Sequence, residues 1–540
     1  MIDNTNISYI YIYMPRGQKA GQAIAAGGYG CVFKPPLKCK DPSVYYDPTG
    51  VSKLMTFDNA NDEMNEVKRI QPIINSIPNN ENYFLTNKIS ICSPANLTTV
   101  DKVRFDKTCT NLTKFGIKES NVNEKLSALK ILNIPYGGEN LDMYEESLVK
   151  ITNKQEGLSS FAYTNKGMLD LLKNGILPMN KRGLYHFDIK AGNILREGTI
   201  SSKNPKLRLI DWGFSVITTP DELKKNAGLP YFSKVIQFNV PFSNILFSMG
   251  SRYVITRTLM DIEVNNIGRR EIMRAMAANI LGATLTHHGL GHINLFEEIL
   301  NRIYKPLLNP NFIRPNLSLT YLLKNTFGNA IIIDYLAEVL DKYIIETSPG
   351  TYEFKEIKYF EEVYLKNVDI WGFLMSYLAF LKINPLKEYT YDWDDPLTNH
   401  ILRILLEYCF NSKYAATPMP ISTIIKELGN LNKIIGINTT SPSSGISGVS
   451  GISGISGVSS AVLVPTKKPT TKSTKKIKGF TIKDKSKTLK VKKLNSIPSA
   501  VRVNAERKKI LKQQFTWPKT RRCPKGYRGK TLKNGKKICE

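Results

Sequence analysis

Apolar and polar residues alternate with the period of half-buried strands in short runs at 30–34, 51–55, 83–91 and 129–134, and an amphipathic helix is expected between them at 59–74. Beyond Gly138 the period lengthens to that of helices, with stretches at 165–181, 269–284, 331–345, 368–381 and 397–410. The pattern predicts an α+β protein of two lobes, a small sheet-rich one over 20–135 and a larger helical one over 136–436. Residues 1–19 read as an N-terminal extension, in which Tyr9, Tyr11 and Tyr13 alternate as in a strand and are expected to pack rather than to recognise a ligand.

The periodicity stops near Gly436. Between Ser441 and Ser460, Ser-Pro-Ser-Ser is followed by five Gly-Ile-Ser or Gly-Val-Ser triplets. That composition cannot bury enough apolar surface to offset chain entropy, so 437–464 is expected to be a flexible linker. Behind it lies most of the charge. From Pro465 onward 26 Lys and Arg against three acids supply +23 of the net +29 of this 540-residue chain, leaving +6 for everything before. Basicity is therefore a property of the tail, with 465–519 expected to be disordered apart from a short helix near 505–513. A polycation of this kind neutralises phosphates with steep salt dependence, so nucleic acid or acidic partners are expected for 465–540, beside the plainer reading of a solvated extension. Phe480, Phe515, Trp517 and Tyr527 are too sparse to form a base-stacking platform. No apolar run approaches the ~18 residues of a membrane helix, and no secretory signal is visible, so a soluble, non-secreted chain without a membrane partner is expected.

The chemistry concentrates in His186-Phe187-Asp188-Ile189-Lys190-Ala191-Gly192-Asn193. An acid, a base two residues on and an amide three further can converge on one phosphoryl group: the carboxylate takes the acceptor hydroxyl's proton, the lysine offsets charge and the amide oxygen binds a metal ion. Leu209-Ile210-Asp211-Trp212-Gly213 follows after a hairpin's length of sequence and supplies a second metal-binding carboxylate. Upstream, Ala25-Ala26-Gly27-Gly28-Tyr29-Gly30-Cys31-Val32 is a glycine-rich turn between strands, where backbone N–H groups can approach phosphates. Lys53 lies in the next strand. Its expected partner on the following helix is Glu66, with Glu63 in reserve.

In order and spacing, from about residue 20 to 215, these elements resemble the protein kinase family. The resemblance implies a bilobal kinase-like fold, with Gly27, Gly28, Gly30 and Val32 over ATP, Lys53 on its phosphates and Glu66 positioning the lysine. It implies Asp188 as catalytic base with Lys190 beside it, and Asn193 and Asp211 as ligands of Mg²⁺, with Mn²⁺ as an alternative. Ile134-Pro135-Tyr136-Gly137-Gly138 looks like the hinge that meets adenine, and Asp369-Ile370-Trp371-Gly372 like the start of the central helix that braces the catalytic loop. The complete set favours activity, and Lys190 points to Ser/Thr acceptors in protein substrates. Departures are equally visible. Ala25 stands for a loop glycine, Phe187 for an arginine that reads activation-loop phosphate, and Trp212 for phenylalanine. Asp369 lies 158 residues after Asp211 with no Ala-Pro-Glu between them, so an insertion over about 220–365 is expected to rebuild the acceptor surface. A non-catalytic kinase-like binding protein and a small-molecule kinase stay open beside the protein-kinase reading.

The seven cysteines are few and irregularly spaced, which predicts reduced thiols, except for a Cys-paired hairpin over 520–540 joining Cys523 to Cys539. That terminal segment, the Lys-, Asn- and Ile-rich composition, the Asp-Trp-Gly and the long insertion resemble kinases of nucleocytoplasmic large DNA viruses, iridovirus-like or mimivirus-like. The resemblance implies host cytoplasm, a viral factory or the virion as location. His288 and His292 are four apart, but Gly289 and Gly291 break the helix that would align them, so a structural loop rather than a metal site is expected.

Overall fold

The computed structural model describes residues 21–27, 30–44, 47–218, 236–260, 268–296, 327–382 and 396–436, with short strands at 515–516, 529–531 and 537–539. The N-terminal extension, the linker, the helix expected near 505–513, Gly28 and Cys523 lie outside the described residues.

Strands β1 (Gln22–Gly27), β2 (Gly30–Lys34) and β3 (Val51–Thr56) run antiparallel, and the chain passes from β3 into helix α1 (Phe57–Asn75) without a loop. The sheet is completed by β4 (Ser90–Cys92) and β5 (Leu129–Ile134), in the order β1-β2-β3-β5-β4. Short helices α2 (Phe105–Thr108) and α3 (Thr110–Lys114) cover its outer face, where Phe105, Cys109 and Leu112 join Cys31, Phe33, Leu54 and Ile131 in one buried cluster. Helix α1 faces the other way: Ile70 and Ile74 belong to the core of the helical lobe.

That lobe opens with β6 (Glu139–Asn140), α4 (Leu141–Val149) and α5 (Lys154–Asp170), which continues through a π turn into α6 (Leu177–Lys181). Small strands β7 (Leu184–Tyr185), β8 (Ile194–Glu197), β9 (Lys206–Leu209) and β10 (Val216–Ile217) carry the motif residues between them. Helices α7 (Met249–Met260), α8 (Arg269–His288) and α9 (Phe327–Tyr343) occupy the expected insertion and pack into the same core through Met276, Ile280, Tyr335 and Leu340. A hairpin of β11 (Ile344–Ser348) and β12 (Thr351–Phe354) follows, then the turn α10 (Glu356–Tyr359), α11 (Leu365–Met375), buried at every position but Lys366, α12 (Pro396–Tyr408) and α13 (Ile421–Ile434). No helix among the described residues is long and apolar enough to cross a membrane. In the separate C-terminal unit, strands 515–516, 537–539 and 529–531 form an antiparallel sheet in that order.

The arrangement is the expected sheet-rich part followed by a helical part, with three local corrections. Residues 83–91 are not one strand: Tyr83 to Leu85 leave the sheet to bond β9 (Leu209 N to Tyr83 O, 2.9 Å; Leu85 N to Leu209 O, 3.2 Å), and only Ser90–Cys92 pairs with β5. The helix expected to run to Ile345 stops at Tyr343, because the β-branched run Ile344-Ile345-Glu346-Thr347 before Pro349-Gly350 favours a hairpin. The thiols of the sheet lobe are not reduced: Cys31 bonds Cys109 and Cys39 bonds Cys92, across 78 and 53 residues. Irregular sequence spacing concealed pairs that the sheet brings together, the second beside a bridge between Cys39 and Pro94. Cys409 is free and buried.

Replacing Cys39 and Cys92 by serine is expected to lower stability by about 2–4 kcal/mol, as removal of a long-loop crosslink does. Denaturation midpoints of the oxidised parent and the variant check this, and equal midpoints would contradict the pairing.

Candidate active site

Strand β7 delivers the chain to His186 at the centre of the helical lobe. The buried carboxylate of Asp369 on α11 accepts two consecutive backbone N–H groups, His186 N and Phe187 N, each at 2.9 Å. Asn180, with its amide oriented to suit both partners, adds a donor to Asp369 Oδ2 at 2.8 Å and one to Leu184 O. Burial still pushes the Asp369 carboxyl up to about 6, against these hydrogen bonds. Aiming both N–H groups at one acceptor requires Phe187 to hold φ +62°, an uncommon conformation for a residue with a Cβ. Its ring packs against Tyr364 and Phe360 at 5.8 and 6.5 Å, so the position that reads phosphate in the resembling family is apolar here. His186 is fully buried, bonds Ile210 O through Nε2 at 3.0 Å and meets the Trp212 ring at a tilt, with centroids 4.7 Å apart. Burial holds its pKa below the usual histidine value.

The next residue, Asp188, gathers three side-chain donors on its carboxylate. Oδ2 accepts from Lys190 Nζ and Asn193 Nδ2, both at 2.8 Å, and Oδ1 accepts from Asn239 Nδ2 at 2.7 Å. Asn193 Nδ2 also donates to Asp188 O at 2.8 Å, which commits the amide nitrogen to the loop. Ile210 N bonds Asn193 O at 3.1 Å, and this link sets Asp211 beside Asn193 at the end of the β8–β9 hairpin. Asp211, at φ +69°, is exposed, and its carboxylate makes no hydrogen bond or ion pair among the described residues. A carboxylate left open beside an amide whose nitrogen is already used is an oxygen donor set that suits a hard cation such as Mg²⁺. No cluster of three or more His, Cys, Asp or Glu suited to a metal is found among the described residues, so such an ion would rest on this asparagine–aspartate pair. In the loop that carries His288 and His292, His288 ends α8 and His292 bonds backbone near Asn239.

On the sheet side, Lys53 sits mid-strand opposite Val32 and Leu132. Its ammonium pairs with Glu63, not Glu66, at 2.5 Å, with the two side chains 15% and 27% exposed. Because α1 starts directly after β3, the lysine meets the second turn of the helix. Glu66, one turn further along, is beyond it and is taken by Arg69 at 2.6 Å. Arg69 reaches on to Ser215 O at 2.8 Å and Oγ at 2.9 Å, joining α1 to the segment after Asp211. Gly27 and Gly30 face each other across the β1–β2 turn. A Cβ at Gly30 would run into Leu54 O, so the strands close here only without one. Ile134 ends β5 opposite Val51, and the Lys34 ammonium lies 3.1 Å from the centroid of the Tyr136 ring just beyond it.

The structure thus joins Asp188, Lys190 and Asn193 by hydrogen bonds, sets Asp211 at the end of the adjoining hairpin, and pairs Lys53 on the sheet with Glu63 instead of Glu66. Asn239 carries no sequence signal: it belongs to no motif and lies beyond the undescribed residues 219–235.

No family model matches the chain, and no curated protein matches it. Among solved structures it is similar to vaccinia related kinase 3 at 10% identity, over 79% of this chain and 95% of that one, with a TM-score of 0.25. A likeness that low adds no argument, so the functional case rests on the geometry.

Asp369→Ala leaves two buried N–H groups without an acceptor, an expected loss of about 1–3 kcal/mol for each in chemical denaturation. With its pKa raised from 3.8 to about 6, folded Asp369 binds more protons than the unfolded chain between these values. Its contribution therefore falls as pH rises through that window, and Asp369→Asn is expected to flatten the stability profile there. An unchanged profile would contradict the burial.

Proposed function

We propose that this chain is a Mg²⁺- and ATP-dependent protein kinase acting on Ser or Thr hydroxyls. The observation that carries the reading is the convergence of Lys190, Asn193 and Asn239 on Asp188, with Asp211 open beside Asn193. Asp188 orients the acceptor hydroxyl and takes its proton. Lys190, 2.8 Å from Asp188 Oδ2, offsets the negative charge that builds between acceptor and donor. Lys53, held by Glu63 rather than swinging into solvent, contacts the nucleotide's phosphates. Gly27, Gly28, Gly30 and Val32 cover the nucleotide, while Ile134 and Tyr136 line the hinge side. Asn193 and Asp211 hold the metal. When bound, Mg²⁺ supplies charge neutralisation at the phosphates. Lysine two residues after Asp188 supports Ser/Thr acceptors.

The tail at 465–540 supports contact with nucleic acid or another polyanion. Together with the resemblance to large-DNA-virus kinases it supports placement at a viral factory or virion.

Asp188→Asn is expected to lower phosphate transfer from ATP to a mixed protein acceptor by about 10²–10⁴-fold, the usual contribution of a general base, with ATP affinity retained. Undiminished transfer would overturn the reading. Retention of the full chain on duplex DNA should weaken steeply with salt and vanish on deletion of 465–540; retention without the tail would remove its role.

A further inference from the structure

Resting on the kinase reading, the structure assigns His292, within the insertion, as a positioning residue that acts on Asp188 through Asn239. The case begins at the carboxylate. Asp188 Oδ2 is loaded by two donors and Oδ1 by one, so the remaining acceptor capacity for a substrate hydroxyl lies on Oδ1, the oxygen Asn239 holds. A single N–H at 2.7 Å fixes the carboxylate's rotation and leaves the second lone pair of Oδ1 aimed outward. An amide suits this place, since it donates without presenting a hydroxyl that could itself accept phosphate.

Asn239 is 3% exposed and depends on its neighbours for its own position. Trp371 Nε1 donates to Phe238 O at 2.9 Å. On α11, a Cβ at Gly372 would stand 2.5 Å from Ile189 O and 3.0 Å from Asn239 O, so the helix approaches both strands of backbone through a glycine. The opposite side is held from the insertion. His292 N donates to Ile236 O at 2.9 Å, Phe238 N donates to His292 Nδ1 at 3.3 Å, and the two rings meet edge to face at 5.2 Å. One residue therefore brackets the segment that ends in Asn239 by a donor, an acceptor and a ring. The bracket needs Nδ1 unprotonated, and burial together with the charge of Lys190 lowers the His292 pKa, which keeps the ring neutral. Helix α8, which leads directly into the segment carrying His292, thus contributes to the positioning of Asp188.

The test uses steady-state transfer by the intact chain and variants at His292 and Asn239. His292→Gln loses the acceptor at the Nδ1 position, whereas His292→Asn keeps an oxygen there. His292→Gln should lower kcat about tenfold or more without changing KM for ATP, as small misplacements of a catalytic group do. His292→Asn should recover most of the loss, and Asn239→Ala combined with His292→Gln should be no slower than Asn239→Ala alone, because the two act in series. Normal kcat in His292→Gln, losses that multiply in the double variant, or a matching rise in KM for ATP would each overturn the assignment. If His292→Gln does not fold, Asn239→Ala decides alone: unchanged kcat overturns the inference. Asp188→Asn in the same assay separates the premises. Transfer surviving that change defeats the kinase reading itself, while its loss beside a normal His292→Gln defeats only this inference.

Discussion

One buried carboxylate holds the loop around Asp188 in shape. Asp369 sits inside α11, where an ion is costly, and the cost is offset by the N–H groups of His186 and Phe187 and by the amide of Asn180. Those bonds force Phe187 into the left-handed region and turn the following residue, Asp188, toward Lys190, Asn193 and Asn239. The same helix reaches the other flank of Asp188 through Trp371 and the close approach at Gly372. Both sides of Asp188 are thereby referenced to a single rigid element, which the proposed catalysis by positioning requires.

The sheet lobe is tied to this assembly at three points. Lys53 and Glu63 bind β3 to α1, Arg69 binds α1 to Ser215, and Tyr83 to Leu85 pair with the strand that leads to Asp211. Trp212 fills the space among them, 5.8 Å from Phe84 and 4.7 Å from His186. Two disulfides brace the outer half of the sheet, one of them attached to the residue after Gly30. Helix α1, strand β3 and the segment around Asp211 are therefore linked by direct contacts.

How much of this the sequence disclosed follows from how local each constraint is. Asp188, Lys190, Asn193 and Asp211 were legible because their geometry is made by short stretches of backbone, a loop and one hairpin. Strands 30–34 and 129–134 were legible because their apolar alternation has one tertiary solution. The choice of Glu63 over Glu66 was not, since it turns on the helix beginning without a loop after β3. The cysteine pairs were hidden by separations of 78 and 53 residues, and Asn239 and His292 by having meaning only once the insertion is folded against the loop.

The central claim is that Asn193 and Asp211 hold the metal of a nucleotide whose phosphates Lys53 meets, with Asp188 facing the transferred group. A crystal structure with a non-hydrolysable ATP analogue and Mn²⁺, read by anomalous scattering, tests it directly. The account predicts manganese between Asn193 Oδ1 and the Asp211 carboxylate, with the terminal phosphate directed at Asp188. Manganese bound elsewhere, or nucleotide phosphates out of reach of Lys53, would contradict it.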